Sequence, residues 1–151
     1  MKLAPMLLAG ATLTIAGSTA ALSYSSPINV DKKGVALHGY DPVTYFDLDK
    51  PQKGSEKFAF TYFGAKWYFV SAENRKKFAQ SRGTLIPEYG GYCAKAVSEN
   101  KLADVDPLAY KLVGGKLYLN SDMKVQKIWE QDISGRISKA DEYWPSVRPK
   151  P

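Results

Sequence analysis

The 151-residue chain contains a single cysteine and a single histidine. One cysteine excludes an intramolecular disulfide framework, and one histidine excludes a multi-histidine metal site within one chain. The sequence also has no C-x-x-C or C-x-x-C-H motif, no P-loop and no G-x-G-x-x-G. A thioredoxin-type redox pair, covalent c-type haem and the two common nucleotide-binding loops are therefore excluded.

The overall composition is that of one folded domain. Hydrophobic residues make up 44% of the chain, aromatic residues 13% and charged residues 24%, which is typical of a single globular unit of this length. The chain has 21 basic and 15 acidic residues, but its basic residues are scattered. A scattered excess is typical of a solvated surface, so nucleic acid is not an expected partner.

The amino terminus has the pattern of a secretory signal peptide. Residues 1–21 combine one early lysine, an uncharged apolar stretch and small residues at the end. We expect cleavage after Ala20 or Ala21, a periplasmic or secreted protein, and no stable membrane insertion after cleavage, because the apolar stretch is shorter than the ~20 residues that span a bilayer. Residues 22–33 are predicted to form an extended lead-in, and residues 147–151 a polar tail.

Two β-hairpins are the clearest local prediction. Apolar residues alternate over 58–62 and 67–70, on either side of Phe63-Gly64-Ala65, and again over 110–113 and 116–119 around Gly114-Gly115. The remaining pattern predicts a strand, a helical turn and four helices: an edge strand over 34–40, a turn over 41–46, and helices over 71–80, 92–100, 122–134 and 137–143. The fold class is therefore α+β, a small antiparallel sheet built from hairpins with packed helices.

Several segments together resemble one protein family. They read VALHGYDPVTYF at 35–46, KGS at 53–55, WYFVSAENR at 67–75, YGGYCA at 89–94, GKLYLN at 115–120 and WP at 144–145. These segments resemble the exported branch of the YHS domain (seleno)proteins, and the match covers residues 34–146. The resemblance implies a YHS/TRASH-like domain and an exported location. The superfamily's cysteine ligands are replaced by Thr44, Asn74 and Arg75, so its metal role is not carried over.

Cys93 is the main candidate for chemistry. It follows Gly90-Gly91-Tyr92 and is predicted to lie in the first turn of a helix, where the dipole and free backbone N–H groups favour a thiolate. Such a thiol suits a soft metal or a nucleophile, whereas a buried Cys93 would be a small hydrophobic residue. His38 could complete a copper or zinc site with Cys93, or act as its base.

Other candidates surround these two residues in the sequence. Asp41 could orient His38, or it could serve only as a helix cap before Pro42. Four tyrosines could line a ligand pocket or pack in the core: Tyr40, Tyr45, Tyr89 and Tyr92.

Three functions stay open at this point. The first is an exported module that binds a small ligand or a soft metal, copper or zinc, through Cys93 and possibly His38, with Tyr40, Asp41, Tyr89 and Tyr92 around the ligand. The second is a thiol-dependent redox enzyme or sensor with Cys93 as nucleophile. The third is a structural or interaction module without chemistry. The first is favoured over an enzyme because no complete catalytic set can be named.

Overall fold

A computed structural model describes residues 26–48 and 50–150. The predicted signal peptide therefore lies outside the described residues, as do residues 22–25 of the lead-in and Pro151. Within the described residues the fold is α+β, as predicted, with two separate two-stranded antiparallel sheets. The strands are Ser55–Tyr62 (β1), Ala65–Phe69 (β2), Tyr110–Val113 (β3) and Lys116–Leu119 (β4); the helices are Thr44–Asp47 (α1), Ala72–Gln80 (α2), Ala94–Val97 (α3), Met123–Glu130 (α4) and Ile133–Val147 (α5).

The first hairpin is confirmed, and it anchors the larger part of the core. Phe60 pairs with Trp67 across β1 and β2, and Trp67 and Phe69 are fully buried. Phe78 of α2 packs on both rings, with centroids 5.1 and 5.2 Å away. The predicted cap of α2 is also confirmed, because the Ser71 hydroxyl accepts a hydrogen bond from the backbone N–H of Asn74 at 3.1 Å.

The second hairpin is confirmed and contributes buried residues to two clusters: Leu117 and Leu119 to the larger core, and Tyr118 to a smaller cluster. Leu112 pairs with Leu117 across β3 and β4, and Leu117, Tyr118 and Leu119 are buried. Tyr118 lies against Trp129 of α4 at a centroid distance of 5.5 Å. Buried residues of α3 and α5 complete this second cluster, in which α5 packs mainly against α3.

The predicted edge strand over 34–40 is wrong beyond its first residues. Val35 and Ala36 form isolated bridges, but Leu37–Gly39 is a 3-10 turn. The φ angles of Leu37, His38 and Gly39 are 52°, 51° and 83°, all in the left-handed region that a strand does not allow. Apolar residues next to a glycine thus formed a turn instead of a strand.

Three helix boundaries also differ from the prediction. The helix expected over 92–100 is reduced to α3. The helix expected over 122–134 ends at Glu130, because the Asp132 carboxylate accepts a hydrogen bond from the backbone N–H of Gly135 at 3.0 Å and caps a new helix. That helix, α5, contains the predicted 137–143 segment and continues through Pro145. Within the described residues, no helix is long and apolar enough to cross a bilayer.

Candidate functional site

Cys93 is buried, which is one of the two alternatives that the sequence allowed. Its relative exposure is 1%. It is the N-cap residue of α3, one position before the predicted first turn, and its backbone N–H donates to the Ala103 carbonyl at 3.0 Å. The thiol donates to Oδ1 of Asn120 at 3.6 Å. A reagent in solvent reaches this sulfur only when the surrounding structure opens.

His38 has a different partner from Cys93. Its Nε2 lies 2.9 Å from Oδ1 of Asp104, and the imidazole is 39% exposed. Asp104 also accepts hydrogen bonds from the Asn29 amide and from the backbone N–H of Val105, both at 2.8 Å. Partial burial would raise the pKa of the Asp104 carboxyl, but the hydrogen bonds from Asn29, Val105 and His38 outweigh burial and lower it.

The described residues offer no support for a copper or zinc site. Nowhere in this part of the chain do three or more His, Cys, Asp or Glu side chains form a group that could hold a metal ion. No hydrogen bond joins Cys93 to His38. The thiol of Cys93 bonds to Asn120, and the imidazole of His38 bonds to Asp104. A metal site built on Cys93 and His38 therefore stays a prediction without a supporting contact.

Asp41 has a structural role. It is 0% exposed, and three donors surround its carboxylate: the backbone N–H groups of Val43 and Val70 at 2.8 and 2.9 Å, and the side-chain amide of Asn74 at 2.8 Å. It therefore ties the chain before α1 to the end of β2 and to α2. The expectation that Asp41 orients His38 is wrong, because Asp41 has these three donors and His38 pairs with Asp104.

The candidate tyrosines separate into two groups. Tyr40 packs on the larger core, and Tyr45 is buried with its hydroxyl on the Pro107 carbonyl at 2.8 Å. Tyr89 and Tyr92 instead both pack against Trp144, with centroid distances of 5.9 and 6.3 Å. Of these four tyrosines, only Tyr89 borders a cleft.

The cleft has a volume of about 330 Å³. Its walls come from four distant segments: residues 26–30, which we call the arm, the turn between β1 and β2, the loop over 82–90, and the end of α5. The side chains that matter below are Phe63, Arg82, Glu88, Tyr89, Trp144 and Arg148. This volume lies near the lower end of the range for small-molecule pockets.

Left-handed backbone shapes two of these walls, the turn between β1 and β2 and the loop over 82–90. Phe63, Arg82 and Tyr89 have φ angles of 51°, 52° and 55°, and they are three of the six non-glycine residues with positive φ among those described. Each is followed by a glycine. Such conformations cost about 1–3 kcal/mol each and are often concentrated at functional sites.

Gly90 allows the arm to approach closely. Its φ is +60°, and a Cβ at this position would overlap the carbonyl oxygen of Pro27. The backbone N–H of Asn29 donates to the Gly90 carbonyl at 2.8 Å. The Ser26 hydroxyl donates to the Phe63 carbonyl, so both ends of this stretch of the arm are held against the cleft walls.

Tyr89 forms the floor of the cleft. It is 4% exposed, and its hydroxyl donates to Oδ1 of Asp141 at 2.9 Å. Burial, with the hydrogen bond to Asp141 and its charge, raises the pKa of Tyr89. The phenol is therefore neutral at physiological pH and acts here as a fixed hydrogen-bond donor.

Three charged side chains at the cleft have no partner among the described residues. The described residues form five ion pairs. None of these pairs includes Arg82, Glu88 or Arg148. These side chains also make no hydrogen bond within the described chain. The partly buried Glu88 has a raised pKa, because burial outweighs the attraction of Lys116 and is reinforced by Asp141. Charges that the fold does not use remain available to a ligand.

Sequence reasoning identified Tyr89 but missed the other cleft residues, and its candidate Tyr92 does not line the cleft. The dipeptides Phe63-Gly64, Arg82-Gly83 and Tyr89-Gly90 were a usable local signal for left-handed turns. No local signal related these turns to Trp144 and Arg148, more than fifty residues further along the chain.

A scan against family models, a search of curated proteins and a search of solved structures each returned no match. The resemblance to the exported YHS domain proteins therefore stays a prediction.

Proposed function

We propose that the protein is an exported module that binds a small ligand with an apolar body and an anionic group in the cleft between the arm and α5. The observation that carries this proposal is the pair of exposed arginines, Arg82 and Arg148, at a cleft walled by aromatic rings. Neither guanidinium has an acidic partner among the described residues. Arginine donates in a planar fork that matches carboxylate and phosphate oxygens.

The burial of Cys93 favours this function over the two thiol-based alternatives. A redox enzyme or sensor needs a thiolate that its substrate can reach, whereas this sulfur is 1% exposed. Soft-metal binding through Cys93 and His38 would require both side chains to leave their present partners. Binding in the cleft requires neither change.

The binding proposal is tested with 3-phenylpropionate, which has one aromatic ring and one carboxylate. We expect saturable binding in an amide-resolved NMR titration, with shifts concentrated over 82–90 and 144–148. An Arg82→Gln, Arg148→Gln double variant should bind at least about tenfold more weakly, since hydrogen bonds to charged groups are worth about 1.5–3 kcal/mol.

The matched control removes two positive charges elsewhere. Lys127 and Lys139 are exposed on α4 and α5 and do not line the cleft. A Lys127→Gln, Lys139→Gln variant should bind the probe like the wild type. Unsaturable shifts, shifts outside the cleft, or an equal loss in the two double variants would overturn the proposal.

Export is a separate part of the proposal and has its own test. The full-length chain, expressed in a bacterium and recovered from the periplasm or the medium, should begin at Ala21 or Leu22 when its amino terminus is sequenced. Protein that begins at Met1 and stays in the cytoplasm would refute export without affecting the binding test.

A further inference from the structure

A carboxylate lies in the same cleft as the two arginines without pairing with either. Glu88 is partly buried, and its side chain has no hydrogen bond or ion pair within the described chain. An ion pair with Arg82 or Arg148 would require an N···O distance of 4.0 Å or less, and none is present. The fold thus presents both signs of charge to one space and keeps them apart.

An unpaired carboxylate that has lost part of its water is unfavourable. Its ionised form loses hydration without gaining a donor, and the raised pKa of Glu88 reflects that loss. The nearby Asp141 adds negative charge and already accepts from Tyr89. Lys116 partly compensates but is exposed on β4. This end of the cleft therefore favours a donor or a cation.

A purely anionic ligand would leave Glu88 unsatisfied and would be repelled by it. A ligand with both a carboxylate and an ammonium group gives each protein charge a partner. The rings of Phe63 and Trp144 provide apolar contact for the ligand body, and aromatic faces also attract ammonium groups. Both rings line the cleft with Glu88.

We infer that the ligand is amphoteric, of the class of apolar or aromatic α-amino acids. Its carboxylate is bound by Arg82 and Arg148, and its ammonium group by Glu88. A cleft of about 330 Å³ suits one such molecule. This inference rests on the proposed function and adds a specificity-determining residue to it.

The test compares three ligands that share a phenylethyl body: L-phenylalanine has both charged groups, 3-phenylpropionate has only the carboxylate, and phenethylamine has only the amine. We expect phenylalanine to bind at least about tenfold more tightly than either of the others, because one more charge-assisted contact forms. The same amide-resolved titration locates each ligand in the cleft.

The variant Glu88→Gln keeps the size of the side chain and removes its charge. It should weaken the binding of phenylalanine about tenfold or more and should leave the binding of 3-phenylpropionate no weaker. The matched control is Glu142→Gln, at an exposed position of α5 that does not line the cleft, and it should change neither affinity. The amide spectrum of each variant shows whether it is folded.

Failure of this inference differs from failure of the proposed function. If 3-phenylpropionate binds in the cleft as tightly as phenylalanine, or Glu88→Gln weakens both equally, the amphoteric ligand is refuted and anion binding stands. If no probe shows saturable shifts at the cleft, both are refuted.

Discussion

Replacing Asp41 by asparagine should destabilise the protein strongly without affecting the cleft. The carboxylate of Asp41 is fully buried and accepts from Val43, Val70 and Asn74. Asparagine has nearly the same shape but offers one oxygen and one NH₂ group. In either amide orientation the NH₂ group faces at least one N–H donor, which is then buried without an acceptor.

The magnitude follows from these contacts. A buried donor left without a partner costs about 1–3 kcal/mol, and each remaining hydrogen bond loses its charge assistance, worth about 1 kcal/mol. Removing a buried charge offsets part of this loss. We expect Asp41→Asn to lower the free energy of unfolding by ~2–4 kcal/mol.

The measurement is urea denaturation followed by tryptophan fluorescence, with linear extrapolation to water. Asp132→Asn is the matched control, because exposed Asp132 caps α5 through one hydrogen bond and asparagine is an equally good cap. It should stay within about 0.5 kcal/mol of the wild type. If the two variants are equally stable, Asp41 does not hold these segments together and the structural interpretation is refuted.

Three further predictions concern the contact of Gly90 with the arm, the thiol of Cys93, and the pair formed by His38 and Asp104. Gly90→Ala should destabilise the protein more than Gly114→Ala and should weaken probe binding. At Gly90 the added Cβ would overlap Pro27, whereas Gly114 has a similar φ and open space around it. Equal unfolding midpoints of the two variants would contradict this. Cys93 should react with iodoacetamide in native buffer far more slowly than in urea, because its sulfur is buried; equal rates would show that the thiol is accessible. Because the pKa of Asp104 is lowered, its ionised carboxylate stabilises the folded protein fully above the ordinary pKa of 3.8. This stabilisation is lost as the pH falls through the lower pKa of the folded state. The difference in free energy of unfolding between the wild type and Asp104→Asn should therefore become smaller in acid. A difference that stays constant with pH would argue against this.

Both hairpins and the cap of α2 could be predicted from the sequence because they depend on near neighbours. Period-2 alternation around Gly64 and Gly114 specifies which residues face each other in a hairpin. Ser71 caps α2 through an N–H group three residues away. The errors arose where local signals were ambiguous: apolar residues over 34–40 suit a strand or a turn.

The candidate site depended on contacts that no local pattern encodes. The burial of Cys93 results from its packing in the larger core and its hydrogen bond to Asn120. His38 instead pairs with Asp104, which is 66 positions further along the chain.

The sequence by itself therefore determined the fold class and the two hairpins. Only the tertiary structure decided which charges share a cleft and which are already paired. The physical reason is that hairpins and caps form between residues a few positions apart, whereas Arg82, Glu88 and Arg148 line one cleft only after the arm and α5 have packed against the loop over 82–90.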